Sequence, residues 1–130
     1  MLYFDSSALV KLAITEAESA SLRSWLAERP HLLLVSSSLI RAEVPRAVWR
    51  ADPSALPESY QVIRRTAEIE VTDSVLSKAA SVRPAMLRAL GAIHLASALT
   101  LRRELTAFVA YDKRLLAAAK DAGLPTACPA

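Results

Sequence analysis

Short apolar runs alternate with amphipathic segments along the chain. Runs of strand length that are bounded by polar residues or prolines predict strands. Apolar residues that recur every three or four positions predict the helices between them. The predicted strands are Leu2–Phe4, His31–Val35, Ile69–Thr72, Phe108–Tyr111 and Leu124–Cys128. The predicted helices follow the first strand after Ser6 and cover about 16–28, 39–48, 58–65, 73–82, 86–103 and 115–122.

This alternation is typical of an α/β protein whose parallel sheet is covered by helices on both faces. The carboxyl ends of the strands in such a sheet share one edge, which is where ligands bind. Asp5 and Asp112 each follow a predicted strand directly, and Glu43 lies one to two helical turns beyond Ser36–Ser38. We therefore expect these carboxylates to meet at that edge. Carboxylate oxygens are the ligands that Mg²⁺ and Mn²⁺ prefer.

Each acid also has a purely structural interpretation. An aspartate that precedes a helix can cap it by accepting hydrogen bonds from backbone N–H groups. This applies to Asp5 and Asp112, although Ser6 or Ser7 can also cap the first helix. Glu43 can belong to a solvated helix face. The repeated junction between a strand and an acid favours the metal site over these alternatives.

Three helical positions need separate explanations. His94 lies on an apolar helical face, where a hydrogen-bonded core histidine is more common than a ligand or a base. Pro45 lies within the helix that carries Glu43, and a proline in a helix interior costs about 3 kcal/mol. Either this helix starts late, so that Pro45 falls in its first turn, or it is kinked beside Glu43. Gly91 marks the start of a helix after a short turn.

Charge adds a weaker indication of the partner. The net charge is +3, and twelve of the sixteen basic residues are arginines, whose planar guanidinium group binds phosphate in a bidentate manner. Lys113 and Arg114 follow Asp112 and are candidate contacts to phosphates at the mouth of the site. An ordinary solvated surface explains the same charges equally well.

Several classes of protein are disfavoured. The single cysteine, Cys128, excludes an intramolecular disulfide and suits a reducing cytoplasm. The N-terminus lacks a basic leader region, and no apolar run reaches the ~18 residues of a membrane span. No Gly-x-Ser-x-Gly turn or Gly-rich phosphate loop is present, so Ser36–Ser38 is interpreted as a helix cap. We expect a soluble, cytoplasmic protein without a membrane partner.

Four stretches of the chain resemble VapC-type toxins, which are PIN-domain proteins of bacterial type II toxin–antitoxin pairs. The stretches are LYFDSSALVKL (2–12), SSLIRAEV (37–44), LRALGAIHLASAL (87–99) and VAYDKRLLAAAKDAGL (109–124). They occur in the order and spacing of the family over nearly the whole chain. The resemblance implies a single PIN domain over residues 1–130. Its fold would be a three-layer α/β/α sandwich around a central parallel sheet of four to five short strands.

The same resemblance implies a metal-dependent endoribonuclease that hydrolyses RNA phosphodiesters at an acidic Mg²⁺ or Mn²⁺ site. Asp5, Glu43 and Asp112 match three of the catalytic and metal-binding acids of the family. Ser6 matches a small hydroxyl residue that supports the first acid. In this family a cognate antitoxin normally covers the site, and homodimers are usual.

The chain departs from the family pattern at Gly91, where the pattern has an aspartate that is a principal metal ligand. Glycine offers no side-chain oxygen, so we expect weaker metal binding and hydrolysis that is slower by orders of magnitude. Three explanations stay open. The protein is a cloning variant of an active toxin, since Asp and Gly codons differ by one base; or it is a naturally degenerate PIN domain that binds antitoxin or RNA without cleavage; or it is an enzyme with altered metal binding.

Overall fold

Five short strands form one parallel sheet in the computed structural model, which describes residues 1–130. The strands are β1 (Leu2–Phe4), β2 (Leu34–Ser37), β3 (Ala67–Ile69), β4 (Ala107–Val109) and β5 (Thr126–Ala127). Their order across the sheet is β3-β2-β1-β4-β5, and every neighbouring pair is parallel. The carboxyl end of β1, which Asp5 follows, therefore lies in the middle of the sheet.

Seven helices connect the strands. They are α1 (Ser6–Ala13), α2 (Ser19–Ala27), α3 (Ile40–Ala51), α4 (Leu56–Arg64), α5 (Asp73–Ala79), α6 (Ala89–Leu99) and α7 (Lys113–Asp121), with a 3₁₀ turn at Pro53–Ala55. No helix has both the length and the apolar character that crossing a membrane requires.

The two faces of β1 belong to two separate apolar clusters. Leu2 and Phe4 pack with residues of α1, α2, α3 and α4, whereas Tyr3 packs with residues of α6 and α7. Successive side chains of a strand point to opposite faces, and all three side chains of β1 are buried. Helices therefore cover both faces of the sheet, which confirms the expected α/β/α fold.

The predicted second strand, His31–Val35, is wrong by about three residues. β2 begins at Leu34, and the preceding Leu33 is 52% exposed. Val35 pairs with Tyr3, the central residue of β1, and β2 continues beyond Val35 through Ser36 and Ser37. Ser36 is fully buried, and its hydroxyl donates to the carbonyl oxygen of Phe4 at 2.6 Å. Ser36 therefore crosslinks two strands, and it does not cap the helix.

The other strands are also displaced from their predicted bounds. β3 ends at Ile69, and the amide of Ser38 donates to the Ile69 carbonyl at 2.9 Å just beyond the last register pair. β4 ends at Val109, so two residues separate it from Asp112, and the strand does not run directly into this acid as expected. Short strands of this kind are limited by pairing with their neighbours, which apolar patterning does not report.

Pro45 lies inside α3, which begins at Ile40, so the expectation of a late helix start is wrong. Pro45 is buried and lacks the N–H group that would continue the hydrogen-bond ladder. The predicted helix at 86–103 is shorter at both ends, and Gly91 falls in the first turn of α6, as expected for a position near a helix start. Gly123 follows α7 with a φ of 88°, a left-handed conformation that suits a glycine just beyond the end of a helix.

Candidate active site

All seven residues that the sequence predicted for the site line one cavity of about 520 Å³. They are Asp5, Ser6, Glu43, Gly91, Asp112, Lys113 and Arg114. The cavity lies at the carboxyl edge of the sheet, between the ends of β1 and β4 and the helices α1, α3, α6 and α7. Parallel pairing of β1 with β4 brings the two aspartates to the same edge, as the alternation of strands and helices predicted.

Asp5 is 4% exposed and caps α1. Its Oδ1 accepts hydrogen bonds from the Ser7 hydroxyl at 2.6 Å and from the Ala8 amide at 3.0 Å. Its Oδ2 accepts no hydrogen bond. Every buried side-chain oxygen of the protein has a partner, so Oδ2 is not buried and is open to the cavity. Asp5 therefore fulfils the structural role and still presents an oxygen to a ligand.

Burial raises the pKa of the Asp5 carboxyl above its ordinary value, because the carboxylate is withdrawn from water. The hydrogen bonds from the Ser7 hydroxyl and the Ala8 amide oppose this rise, and the charge of Glu43 adds to it. A bound cation would offset the cost of keeping this carboxylate charged.

Asp112 caps α7 and is exposed. Its Oδ1 accepts hydrogen bonds from the amides of Arg114 at 2.9 Å and Leu115 at 3.2 Å, and its Oδ2 accepts none. Asp112 can therefore cap α7 and still offer an oxygen to the cavity, because the two roles use different oxygens of its carboxylate.

Glu43 lies in the first turn of α3 and is anchored at both oxygens. Its Oε1 lies 2.7 Å from Nε2 of His94, and its Oε2 accepts a hydrogen bond from the Ser6 hydroxyl at 3.3 Å. The side chain is 18% exposed, so the solvated helix face is not the correct interpretation.

Ser6 contacts a different acid from the one that the resemblance implies, and Ser7 contacts the expected acid instead. The resemblance implies that Ser6 supports the first acid, but the Ser6 hydroxyl donates to Glu43. Ser7 donates to Asp5, and its oxygen also accepts the amide of Tyr111, which immediately precedes Asp112, at 3.1 Å. Ser7 therefore ties the β1–α1 junction to the β4–α7 junction. The sequence singled it out only as a helix cap.

His94 is a hydrogen-bonded core histidine, as its apolar surroundings predicted. It is 2% exposed, and its Nδ1 lies 2.7 Å from the hydroxyl of Tyr3. The link to Glu43 was not predicted, and neither was the part that Tyr3 plays. Burial raises the pKa of the Tyr3 hydroxyl far above its ordinary value, so this hydroxyl keeps its proton.

Gly91 lies in the cavity wall and has room for a side-chain Cβ atom. A Cβ atom at this position would lie 3.6 Å from Leu87 and 3.7 Å from Leu115, which are ordinary van der Waals distances. Its φ angle is not positive, so neither packing nor backbone conformation requires a glycine here. The first atom of an aspartate side chain at position 91 therefore fits without displacing its neighbours.

The rim of the cavity is basic. Lys113 and Arg114 are exposed there, together with Arg88, which lies immediately before α6. Arg88 was not predicted. It lies three residues before Gly91, within the stretch 87–99 that carries the resemblance, and its proximity to the site in sequence was overlooked.

The acids fit a divalent ion in kind, although no three of the Asp, Glu, His and Cys side chains converge into a metal-binding group. Asp5 and Asp112 each offer one free oxygen, Glu43 is engaged at both oxygens, and Gly91 offers none. Mg²⁺ is commonly held by one or two carboxylates with several waters retained. The residues therefore suit a water-rich ion site with two direct protein ligands.

Residues 2–121 match the model of the PIN domain family. Ribonuclease VapC47 of Mycobacterium tuberculosis (strain CDC 1551 / Oshkosh) is 40% identical over 132 residues, which cover 99% of this chain and 97% of that protein. Ribonuclease VapC46 of Mycobacterium tuberculosis (strain ATCC 25618 / H37Rv) is 41% identical over 128 residues, which cover 98% and 97%.

The fold has a counterpart among solved structures. The crystal structure of Mycobacterium tuberculosis VapC20, a Sarcin-Ricin loop cleaving toxin, matches with a TM-score of 0.74 and 14% sequence identity. The match covers 95% of this chain and 96% of the VapC20 chain, and at this identity it speaks for the fold alone. Together with the full-length sequence relatives, these matches establish that the chain belongs to the PIN-domain family and, within it, to the VapC ribonucleases.

Proposed function

We propose that this protein is a metal-dependent endoribonuclease toxin of a toxin–antitoxin pair, and that Gly91 impairs its activity. The observation that carries the proposal is that Asp5, Glu43 and Asp112 all line one cavity with a basic rim. Residues 1–130 act as a single PIN domain in the cytoplasm. A cognate antitoxin covers the cavity, and the toxin forms a homodimer, as is usual for the family.

Asp5 and Asp112 would hold Mg²⁺ or Mn²⁺ through their Oδ2 atoms, which accept no hydrogen bond from the protein. A bound ion would supply positive charge to neutralise the charge that develops on the phosphoryl oxygens. Glu43, whose Oε1 is anchored, would orient a water molecule with Oε2 or bridge to the ion through one.

The basic rim would position the RNA. Lys113, Arg114 and Arg88, which line the same cavity, would bind backbone phosphates of the RNA. The oriented water attacks phosphorus in line with the leaving ribose oxygen. A new P–O bond forms and the bond to that oxygen breaks. One proton of the water passes to Glu43, and the leaving ribose oxygen takes up a proton from solvent.

An alternative function is a non-catalytic module that binds antitoxin or RNA. The charge balance of the cavity favours this alternative, since the three acids Asp5, Glu43 and Asp112 face three cations on the rim. An aspartate in place of Gly91 would make the lining net negative and so increase its need for a metal ion. Such a module would hold RNA phosphates without a divalent ion.

The two functions are separated by restoring the missing acid. Gly91→Asp should strengthen Mn²⁺ binding and raise the rate of RNA cleavage by orders of magnitude, because it adds a charged ligand at a position where a Cβ atom meets only ordinary van der Waals contacts. Gly91→Asn is the matched control, with nearly the same size and no charge. Mn²⁺ affinity is measured by electron paramagnetic resonance, and cleavage is measured on a closed circular RNA, which only an endonuclease can open.

If Gly91→Asp neither binds Mn²⁺ more tightly nor cleaves RNA, the damaged toxin is the wrong interpretation and the binding module remains. If Gly91→Asn gains as much as Gly91→Asp, the effect comes from size and not from a ligand. If the protein cleaves RNA and Asp5→Ala cleaves it equally fast, the assignment of the site is wrong.

A further inference from the structure

A buried hydrogen-bonded chain runs from the centre of the sheet to the candidate active site. It begins at the hydroxyl of Tyr3 in β1, passes through the imidazole of His94 in α6, and ends at Oε1 of Glu43 in α3. Both links are 2.7 Å long. Tyr3 is fully buried and His94 nearly so, which shields the chain from competition by water.

The direction of the hydrogen bonds follows from the chemistry of the two ends. A carboxylate only accepts hydrogen bonds, so Nε2 of His94 donates to Glu43. In the neutral imidazole Nδ1 then accepts, and the Tyr3 hydroxyl is its donor. Tyr3 therefore selects the imidazole tautomer that presents a donor to Glu43. The ring of Tyr3 stacks on that of Phe108, with nearly parallel planes and ring centroids 5.2 Å apart, and this contact holds the hydroxyl in place.

His94 is the stronger of the two anchors of Glu43. The hydrogen bond from Ser6 to Oε2 is 3.3 Å long, whereas the contact of His94 with Oε1 is 2.7 Å long. Ser6 and His94 both line the cavity, but His94 is only 2% exposed and both of its ring nitrogens already have partners in the protein. Without His94, a flexible glutamate side chain would be held only by the weaker contact.

We propose that His94 is a positioning residue that fixes Glu43 for metal binding and water orientation, and that Tyr3 in turn fixes His94. This inference rests on the proposed function in that it takes Glu43 to be part of the site. His94 contacts neither the ion nor the RNA directly. It acts through the orientation of one carboxylate, much as partners in the outer shell of a metal site orient its ligands.

The test compares variants of His94 that keep or remove the donor. His94→Leu replaces the imidazole with an apolar side chain that has no hydrogen-bond donor. His94→Gln keeps an N–H group that can donate to Glu43. We expect His94→Leu to weaken Mn²⁺ binding by about tenfold and His94→Gln to recover most of that loss. Tyr3→Phe, which keeps the stacked ring, should give a smaller loss and a mixture of imidazole tautomers in ¹⁵N nuclear magnetic resonance spectra.

A double-mutant cycle with Glu43→Gln separates positioning from a merely structural role. Because His94 acts through Glu43, His94→Leu should weaken Mn²⁺ binding no further once Glu43→Gln is present. All variants are full chains, measured with Gly91 and again with Gly91→Asp, and their melting temperatures are recorded. Should His94→Leu fail to fold, Tyr3→Phe and His94→Gln still carry the comparison.

The outcomes distinguish the inference from the proposed function. If no variant with Gly91→Asp binds Mn²⁺, the proposed function fails, and the inference fails with it. If Glu43→Gln binds Mn²⁺ as tightly as the parent, Glu43 has no part in metal binding and the inference alone is overturned. If Glu43→Gln weakens binding but His94→Leu and Tyr3→Phe do not, the inference alone is overturned. Additive losses from His94→Leu and Glu43→Gln would also overturn it.

Discussion

The two sides of the cavity are built differently. On the side of β1 and α3, Asp5 and Glu43 are held by side-chain hydrogen bonds from Ser7, Ser6 and His94. On the side of α6 and α7, Asp112 is exposed and is held only by backbone amides of its own helix, and Gly91 contributes no side chain. The first side is preorganised, and the second depends on what binds there.

This difference teaches where the site is vulnerable. A preorganised carboxylate requires little reordering when a ligand arrives, so its supporting hydrogen bonds matter as much as its charge. An exposed carboxylate keeps its hydration and tolerates changes in its surroundings. Substitutions on the first side should therefore change the geometry of the site, and substitutions on the second should mainly change charge and the affinity for RNA.

The largest effect that bears on this contrast is expected at Ser7. Ser7→Ala removes the 2.6 Å hydrogen bond to Asp5 and the link to the Tyr111 amide. We expect Mn²⁺ affinity to fall by about tenfold or more, with Ser6→Ala causing a smaller loss because its bond to Glu43 is longer. Titration with Mn²⁺ measures both, and Ser7→Thr, which keeps the hydroxyl, is the control. A larger loss from Ser6→Ala than from Ser7→Ala would reverse the contrast.

Substitutions of the basic residues on the rim should have a smaller effect, and that effect should be on RNA binding. Replacing Arg88, Lys113 and Arg114 one at a time with Gln should weaken RNA binding while leaving Mn²⁺ affinity nearly unchanged. Each lost phosphate contact should reduce the slope of log affinity against log salt by about 0.7 for single-stranded RNA. Fluorescence anisotropy over a salt series measures the slope. An unchanged slope would mean that these side chains are ordinary surface charge.

The smallest effect is expected on stability. Because burial raises the pKa of Asp5 in the folded protein, the stabilising contribution of its protonated form is present at low pH and is lost as the pH rises through that pKa. Asp5→Asn should therefore melt a few degrees higher than the parent at pH 8 in the presence of a chelator, and the gain should shrink as the pH falls.

The exposed aspartate provides the matched comparison for this stability test. Asp112→Asn keeps the capping oxygen at an exposed position and should leave the melting temperature nearly unchanged across the same pH range. Thermal melts in chelator, run from acidic to mildly alkaline pH, measure both variants. A pH-independent gain in Asp5→Asn would show that the charge of Asp5 is not the cause.

The sequence predicted which helices and strands are present, but it misplaced where several of them begin and end. Alternation of apolar runs and amphipathic segments predicted all five strands and their parallel arrangement, because this pattern reflects burial on both faces. The start of β2 was misplaced because Leu32 and Leu33 extend the apolar run before the strand, while Ser36 and Ser37 are buried within it. A serine that donates to a neighbouring strand looks the same in a sequence as one that caps a helix.

The sequence alone predicted the acids near the strand ends, and the resemblance to the VapC-type toxins predicted the missing acid at Gly91. Asp5 and Asp112 stand beside the elements that position them, so local patterning was enough to find them. Tertiary structure alone decided that His94 reaches Glu43, 51 positions away, and that Tyr3 reaches His94, 91 positions away. It also decided that Ser7, and not Ser6, supports Asp5. These contacts depend on the packing of α3 and α6 against the sheet, at distances along the chain that no local pattern encodes.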